Sequence, residues 1–218
     1  MLASVLLSSV PHAFTGTADG DHRPGGDGAA AARLLAALGG AGPVRVVSQV
    51  HGARVVRVQE ASPAVEADAI VSTVPGAVVA VRVADCVPIL LAAPGGVAAI
   101  HAGWRGTAAD IARTALLALC DAAGCRPGDV RAAVGPCICG ACYEVGDEVI
   151  DAVARVAPGV SWRAGERNVD LGEANAAILR AEGVTVDRLQ LCTRCGSGFW
   201  SYRRDGAAGG RQVGAIRL

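Results

Sequence analysis

Apolar positions along the 218-residue chain follow two rhythms. Runs such as "AVVAVRVADC", "PILLAAPGG" and "GVAAIHAG" are short, rich in Val, Ile and Leu, and bounded by Gly or Pro. That is the pattern of buried β-strands. "TAADIARTALLALCDAAG" instead repeats its apolar residues at helical spacing, with Thr107 placed to cap the helix and Gly124 to stop it. The same spacing predicts helices in "AAAARLLAALG", ended by Gly39, in "DEVIDAVARVAPG", and in "DLGEANAAILRAEG", where Asp170 is a candidate cap. "SVLLSSV" reads as a first strand, "PVRVVSQVHG" and "ARVVRVQE" as a hairpin, and "DAIVSTVPG", "VDRLQLCTRC" and "RQVGAIRL" as further strands. Residues 12–30 are rich in Gly, Asp and Pro and read as an exposed loop. No repeat or long linker divides the chain. The pattern predicts a single α/β (α+β) domain over residues 1–218, built on a large apolar β core.

Charge narrows the function classes. The chain has 20 basic and 20 acidic residues and a pI near 6.9, which gives no electrostatic footprint for nucleic acid or an anionic membrane. Every basic residue is arginine; with the many Ala and Gly residues this reads as compositional bias, and it blurs periodicity because Ala fits either face of an element. The opening "MLASVLLSSV" lacks a positively charged start, and no segment approaches membrane-spanning length, so a cytoplasmic, monomeric protein is expected. In a reducing compartment the eight cysteines are expected as thiols, metal ligands or a nucleophile rather than cystines.

Three of the reactive residues share a position. His51, Cys86 and His101 each end an apolar run and are followed shortly by Gly or Pro. Strand ends that converge at one sheet edge are where rigid scaffolds place chemistry. Two His and one Cys form a three-ligand set suited to zinc, with a fourth position open to water or substrate. Taken singly, each also reads as an ordinary core residue. A Cys–His hydrolase, with Cys86 as nucleophile and His101 as base, is a further reading; it leaves His51 unexplained.

Other residues add to the picture around that trio. In "HAGWRGTA", Gly103 and Gly106 bracket Trp104-Arg105 ahead of a helix, where Arg105 could hold phosphate or carboxylate. "FWSYRRDG" offers aromatic faces and the anion-binding candidates Arg203 and Arg204. The cysteines of "CICGAC" (Cys137, Cys139, Cys142) and "CTRC" (Cys192, Cys195) have short spacings that can bind structural zinc. C-x-C-x-x-C is not the usual knuckle pairing, however, and no histidine lies nearby. Reduced, partly buried thiols are therefore the expectation there, with a second metal or a disulfide as the other readings.

Taken together, QVHG (49–52), "ADAIVS" (67–72), "ADCVPILL" (84–91), HAGWRG (101–106), the segment from Gly135 to Gly146 containing "CYEVG", and "SYRRDG" with the following "GRQ" resemble one family. This is the YfiH or laccase-domain family, described variously as polyphenol oxidases, purine nucleoside phosphorylases and peptidoglycan-editing factors. The resemblance covers the chain from about residue 44 to its end. It implies a layered α/β/β/α domain and a zinc-capable site of His51, Cys86 and His101. It also implies phosphorolysis of purine nucleosides by phosphate, together with deamination of adenosine. Gln49, Asp85, Arg105, Arg203 and Arg204 are then the candidates for substrate and phosphate, and Asp85 or Asp205 for a proton donor to the purine. Copper, which the laccase label implies, is weighed below zinc: a lone His₂Cys site lacks the additional ligands of four-electron oxygen chemistry. The segment "FTGTADGDHRPGGDG" departs from the family's usual Arg-x-Gly-Gly-Val-Ser and Ser-Leu-Asn stretch, which puts any base or ribose contacts from that region in question. Editing of cell-wall precursors with Cys86 as nucleophile is the alternative activity.

Overall fold

The computed structural model describes residues 1–40, 42–158, 160 and 167–218. Strands β1 (His12–Phe14), β4 (Val78–Val83) and β9 (Gln212–Arg217) form a three-stranded antiparallel sheet in the order β1-β9-β4. A six-stranded mixed sheet has the order β2-β3-β6-β5-β7-β8. Its strands are β2 (Val55–Arg57), β3 (Ala69–Ser72), β5 (Val87–Ala93), β6 (Gly96–Ala102), β7 (Arg131–Val134) and β8 (Thr185–Arg188).

Residue alternation along the strands explains the layers, because successive side chains of a strand point to opposite faces. On β5, Ile89 and Leu91 join the helices α3 (Ile111–Ala123), α4 (Asp147–Val156) and α5 (Leu171–Ala181) in one core. Leu90 and Ala92 face the other way and pack with Val79, Val81 and Ile216 of the smaller sheet in a second core. Val78, Ala80 and Val213 turn outward to Leu34 and Leu38 of α1 (Gly28–Leu38). The result is the α/β/β/α layering, with strands buried on both faces. That double burial is why β5 and β6 read as nearly continuous apolar runs rather than alternating ones.

Helix ends follow the sequence where the cap is local. Gly39 closes α1 at φ 62°, a left-handed conformation natural to glycine, and the Asp170 side chain accepts the Glu173 N–H at the start of α5. Thr107 does not cap α3. A short helix α2 (Trp104–Ala108) begins after Gly103, and α3 starts only beyond Asp110; the Thr107 hydroxyl is buried and accepts from the Asn175 side chain at 2.9 Å.

The N-terminal expectations need correction. "SVLLSSV" is not a strand: Val5–Leu7 forms a single 3₁₀ turn, with the Ser4 hydroxyl accepting the Leu6 N–H. The first strand lies instead within the segment expected as an exposed loop. His12 to Thr15 are buried because β1 pairs with β9 and sends Phe14 between the two sheets. The expected 43–60 hairpin is also absent. Residues around Arg45 and Ser48 make isolated bridges to Val79 and Glu66, and β2 runs parallel to β3.

Candidate active site

The β5–β6 hairpin sets the position of two of the three expected ligands. Its register pairs Val87 with Ala102 and Pro88 with His101, so Cys86, just before β5, sits beside Gly103, just after β6. The third ligand arrives from the turn at His51, whose φ of 63° is unusual for a residue with a side chain. One ligand atom from each of His51, Cys86 and His101 lies within 4.8 Å of the others. The His51 and His101 rings meet edge to face at 4.8 Å between centroids, and His51 Nε2 is 3.9 Å from Cys86 Sγ.

Asp68 holds the two histidines in place. The β3–β6 register continues one step beyond Ala69–Ile100 and brings Asp68 against His101, whose backbone N–H donates to the Asp68 carbonyl at 2.7 Å. The fully buried carboxylate accepts the His101 Nδ1–H at 2.8 Å and the His51 N–H at 2.9 Å through Oδ1. Its Oδ2 accepts the N–H groups of Gly52 at 2.7 Å and Val50 at 3.3 Å. These bonds over-determine the left-handed turn at His51, which is how such a conformation persists. A carboxylate acceptor also assigns the His101 proton to Nδ1 and leaves Nε2 for the site, the arrangement common behind metal-ligating histidines. Burial pushes the Asp68 carboxyl up, but the bonds and charge of His101 and the backbone N–H groups outweigh it and hold the group below the ordinary carboxylate range.

The thiol and the imidazole influence each other strongly. Burial raises the Cys86 thiol, yet the charge and hydrogen bond of His101, with a bond from His51, bring it down to about 6. Burial lowers His101, and the Cys86 thiolate and Asp68 reverse this to about 9. Both shifts favour a thiolate facing an imidazolium, and ligation of a cation through Nε2 requires that proton to leave.

Gly103 is the third structural requirement. A Cβ there would lie 2.8 Å from His51 Cδ2 and 3.2 Å from Cys86 Sγ, so any other side chain would press on these two members of the trio. The surroundings are cationic and aromatic. Arg105 is exposed, stacks over Trp104 at 4.4 Å, and forms no ion pair among the described residues. The Arg203 guanidinium lies 5.2 Å from the half-buried Tyr143 ring. Burial raises the Tyr143 hydroxyl, which also feels the charges of Cys86, Arg203, Asp85 and Arg105. The trio lies on neither of two cavities of about 290 and 330 Å³ found elsewhere on the surface.

The remaining expected site residues are committed to the scaffold. The Gln49 side-chain amide closes both of its ends on the Arg82 backbone, at 2.7 and 2.8 Å. Asp85, at φ 84°, accepts from Thr193 Oγ1 at 2.6 Å, Ser201 Oγ at 3.1 Å and the Arg203 N–H at 2.7 Å, so it positions its neighbour Cys86. Arg204 donates to the carbonyls of Thr193, Arg194 and Phe199 and pairs with Asp205. That pairing lowers the Asp205 carboxyl, the reverse of what a proton donor needs. Asp68 and Tyr143 were not singled out from sequence. The available signal was an aspartate opening the apolar run "DAIVS", because an ionised group rarely enters a β core unless it is paired.

A second cluster lies away from the trio. Cys139, Cys142, Cys192 and Cys195 bring their sulfurs within 4.8 Å of one another, whereas Cys137 is buried apart from them and its thiol is pushed up to about 12, chiefly by burial.

The chain matches the family model described as multi-copper polyphenol oxidoreductase laccase over residues 21–218. It is 41% identical over 234 residues to a purine nucleoside phosphorylase of Deinococcus radiodurans, covering 96% of this chain and 90% of that protein. It is 39% identical over 176 residues to adenosine deaminase RL5 from an unknown prokaryotic organism, covering 75% and 67% of the two chains. The crystal structure of YlmD from Geobacillus stearothermophilus superposes with a TM-score of 0.75 at 33% identity, over 86% of this chain and 78% of that one. On this footing the protein belongs to the multi-copper polyphenol oxidoreductase laccase family, the same YfiH group that its motifs resemble.

Proposed function

We propose that the protein is a purine nucleoside phosphorylase that also deaminates adenosine, and that it works at a zinc site made by His51, Cys86 and His101. The observation that carries this reading is the convergence of the three ligand atoms in front of the buried Asp68, with the exposed Arg105 just beyond His101 in the chain and Arg203, which donates to the Glu144 carbonyl at 3.1 Å, bonded through its backbone to Asp85. The relatives named for these two activities support the choice of substrate.

The donor set fits zinc: two imidazoles and a thiolate, with the Asp68 carboxylate orienting one of them. Bound there, zinc would supply Lewis acidity and a water activated near neutral pH. The fit to multicopper chemistry is poor. The chain has four histidines, and His12 is buried, with its ring nitrogens bonded to the Ser4 N–H and the Val10 carbonyl. Too few remain for a cluster beyond the trio.

For phosphorolysis, the protein must hold phosphate near the anomeric carbon while positive charge develops on the sugar. Arg105 and Arg203 suit that role, since both carry guanidinium groups at the rim of the site, whereas Arg204 is bound into its loop. Tyr143, Trp104 and the exposed His51 ring offer faces on which a purine could stack.

The test is incubation of the pure protein with adenosine and phosphate, followed by chromatography for adenine, ribose-1-phosphate and inosine. Formation of these products by wild type and their loss in Cys86→Ala are expected. No product, or full activity in Cys86→Ala, sinks the proposal.

One observation favours a second reading. A thiol held near 6 beside two histidines is also an activated nucleophile, as amide hydrolysis would need. Alkylation separates the two. Under the zinc reading, metal protects Cys86 and a chelator abolishes activity; under the nucleophile reading, alkylation inactivates the protein whatever its metal content.

A further inference from the structure

The four-cysteine cluster has a coherent internal geometry. Read in the right frame, the two loops supply C-x-x-C pairs, Cys139-Gly140-Ala141-Cys142 and Cys192-Thr193-Arg194-Cys195. Cys137, which obscures that frame in the sequence, leaves it by pairing its backbone with the second loop. Its N–H donates to the Leu191 carbonyl, and its carbonyl accepts the Thr193 N–H, each at 3.1 Å. The Cys139 N–H donates to Cys192 Sγ at 3.3 Å, across from one pair to the other. The Cys142 N–H turns back to the Cys139 carbonyl at 3.0 Å, and the Gly196 N–H to the Cys192 carbonyl at 3.0 Å, so each pair sits on a tight turn. Arg194 ties the loops again by donating to the Cys142 carbonyl at 3.0 Å.

Four sulfurs within 4.8 Å of one another match a tetrahedral zinc site, in which ligands 2.3 Å from the ion stand about 3.8 Å apart. Among the described residues no histidine or carboxylate takes part, and an N–H bonded to a ligating sulfur is the outer support such sites use. We propose that Cys139, Cys142, Cys192 and Cys195 bind one structural zinc ion, separate from the catalytic trio, that clamps the loop 137–143 to the loop 191–196.

Both loops continue into the active site. Ile138 donates its N–H to the Asp85 carbonyl at 3.0 Å, and Thr193 donates its hydroxyl to the Asp85 carboxylate. Tyr143 closes the first loop and Arg204 grips the carbonyls of the second. The clamp would therefore fix the groups that position Cys86, Tyr143 and Arg203, without contributing a ligand to the chemistry. This assignment does not depend on the activity proposed above.

The experiment compares wild type with the double variant His51→Ala, Cys86→Ala, which removes the exposed His51 and half-buried Cys86 side chains and leaves the buried His101–Asp68 pair intact. Both proteins are produced with zinc in the medium and dialysed, and zinc is counted by atomic emission. Iodoacetamide labelling is then mapped cysteine by cysteine before and after chelation. The expected result is one equivalent of zinc retained in the double variant, with Cys139, Cys142, Cys192 and Cys195 unlabelled until the chelator is added and fully labelled afterwards. A further Cys192→Ser change should remove that equivalent. Immediate labelling of the four thiols, with no zinc retained, overturns the assignment. So does protection that survives chelation and yields to a reductant, because that outcome marks disulfides. If the double variant fails to fold, the labelling map of wild type decides alone, since chelator-dependent protection of these four cysteines is specific to the proposed site.

Discussion

Replacing Asp68 by Asn changes one atom, and the geometry fixes where the damage falls. The carboxylate accepts four N–H groups, from His101 Nδ1, His51, Gly52 and Val50. A carboxamide keeps one acceptor and turns its NH₂ toward two of those donors. Bonds to a charged group contribute about 1.5–3 kcal/mol each, and opening a buried pair of this kind costs about 3–5 kcal/mol. If the NH₂ faces His101, Nδ1 must become the acceptor and the proton moves to Nε2, which can then no longer ligate. If it faces the other side, the Gly52 and Val50 N–H groups lose their partner and the left-handed turn at His51 loosens. Either outcome reaches the trio, so zinc affinity there should fall about 10–100-fold, the usual consequence of losing a carboxylate behind a ligating histidine. The assay is competition with a chromogenic chelator, with Cys86→Ser reporting the zinc held by the four-cysteine site as background. Circular dichroism and a thermal melt follow the fold. A folded Asp68→Asn protein whose trio binds zinc within threefold of wild type would refute this account of Asp68.

Four further substitutions probe the rest of the site and its scaffold. Gly103→Ala places a methyl group against His51 and Cys86; kcat/KM for adenosine phosphorolysis should drop at least about tenfold, with a stability loss of about 1–3 kcal/mol by thermal melt. Arg203→Ala should raise the KM for phosphate with little change in melting temperature. Arg204→Ala should do the opposite and lower the melting temperature, because its guanidinium holds three loop carbonyls; equal kinetic effects of the two would contradict their assignment. Leu90→Ala, at a fully buried position between the sheets, should cost about 2–5 kcal/mol in urea unfolding while leaving KM unchanged in the protein that remains folded.

Which of these features could be read from the sequence depends on how local their causes are. The strands β5 and β6 were legible because burial on both faces makes them unbroken apolar runs, and the helix stops at Gly39 and Gly124 because left-handed closure favours glycine within the segment itself. The convergence of His51, Cys86 and His101 was legible because each of them ends an apolar run next to a turn residue. Asp68 does equal work in the site, yet an aspartate before a strand looks the same whether it faces solvent or anchors two histidines; only the β3–β6 register distinguishes the cases. The anion-binding candidates show the converse. Arg203 and Arg204 are adjacent and chemically identical, and a four-residue helix (Tyr202–Asp205) sends one toward Tyr143 and the other back into its own loop. The cysteine cluster is ambiguous in the same manner, since "CICGAC" contains both a C-x-C and a C-x-x-C spacing. The choice between them is made by Cys137, whose side chain enters the core while its backbone bridges to Cys192, and by Cys139, which starts a new 3₁₀ turn (Gly140–Cys142). Residue type and spacing thus identify which groups can do chemistry. Which of them face one another is set by register and loop pairing between segments distant in the chain, from 33 residues for Asp68 and His101 to 116 for Ser201 and Asp85.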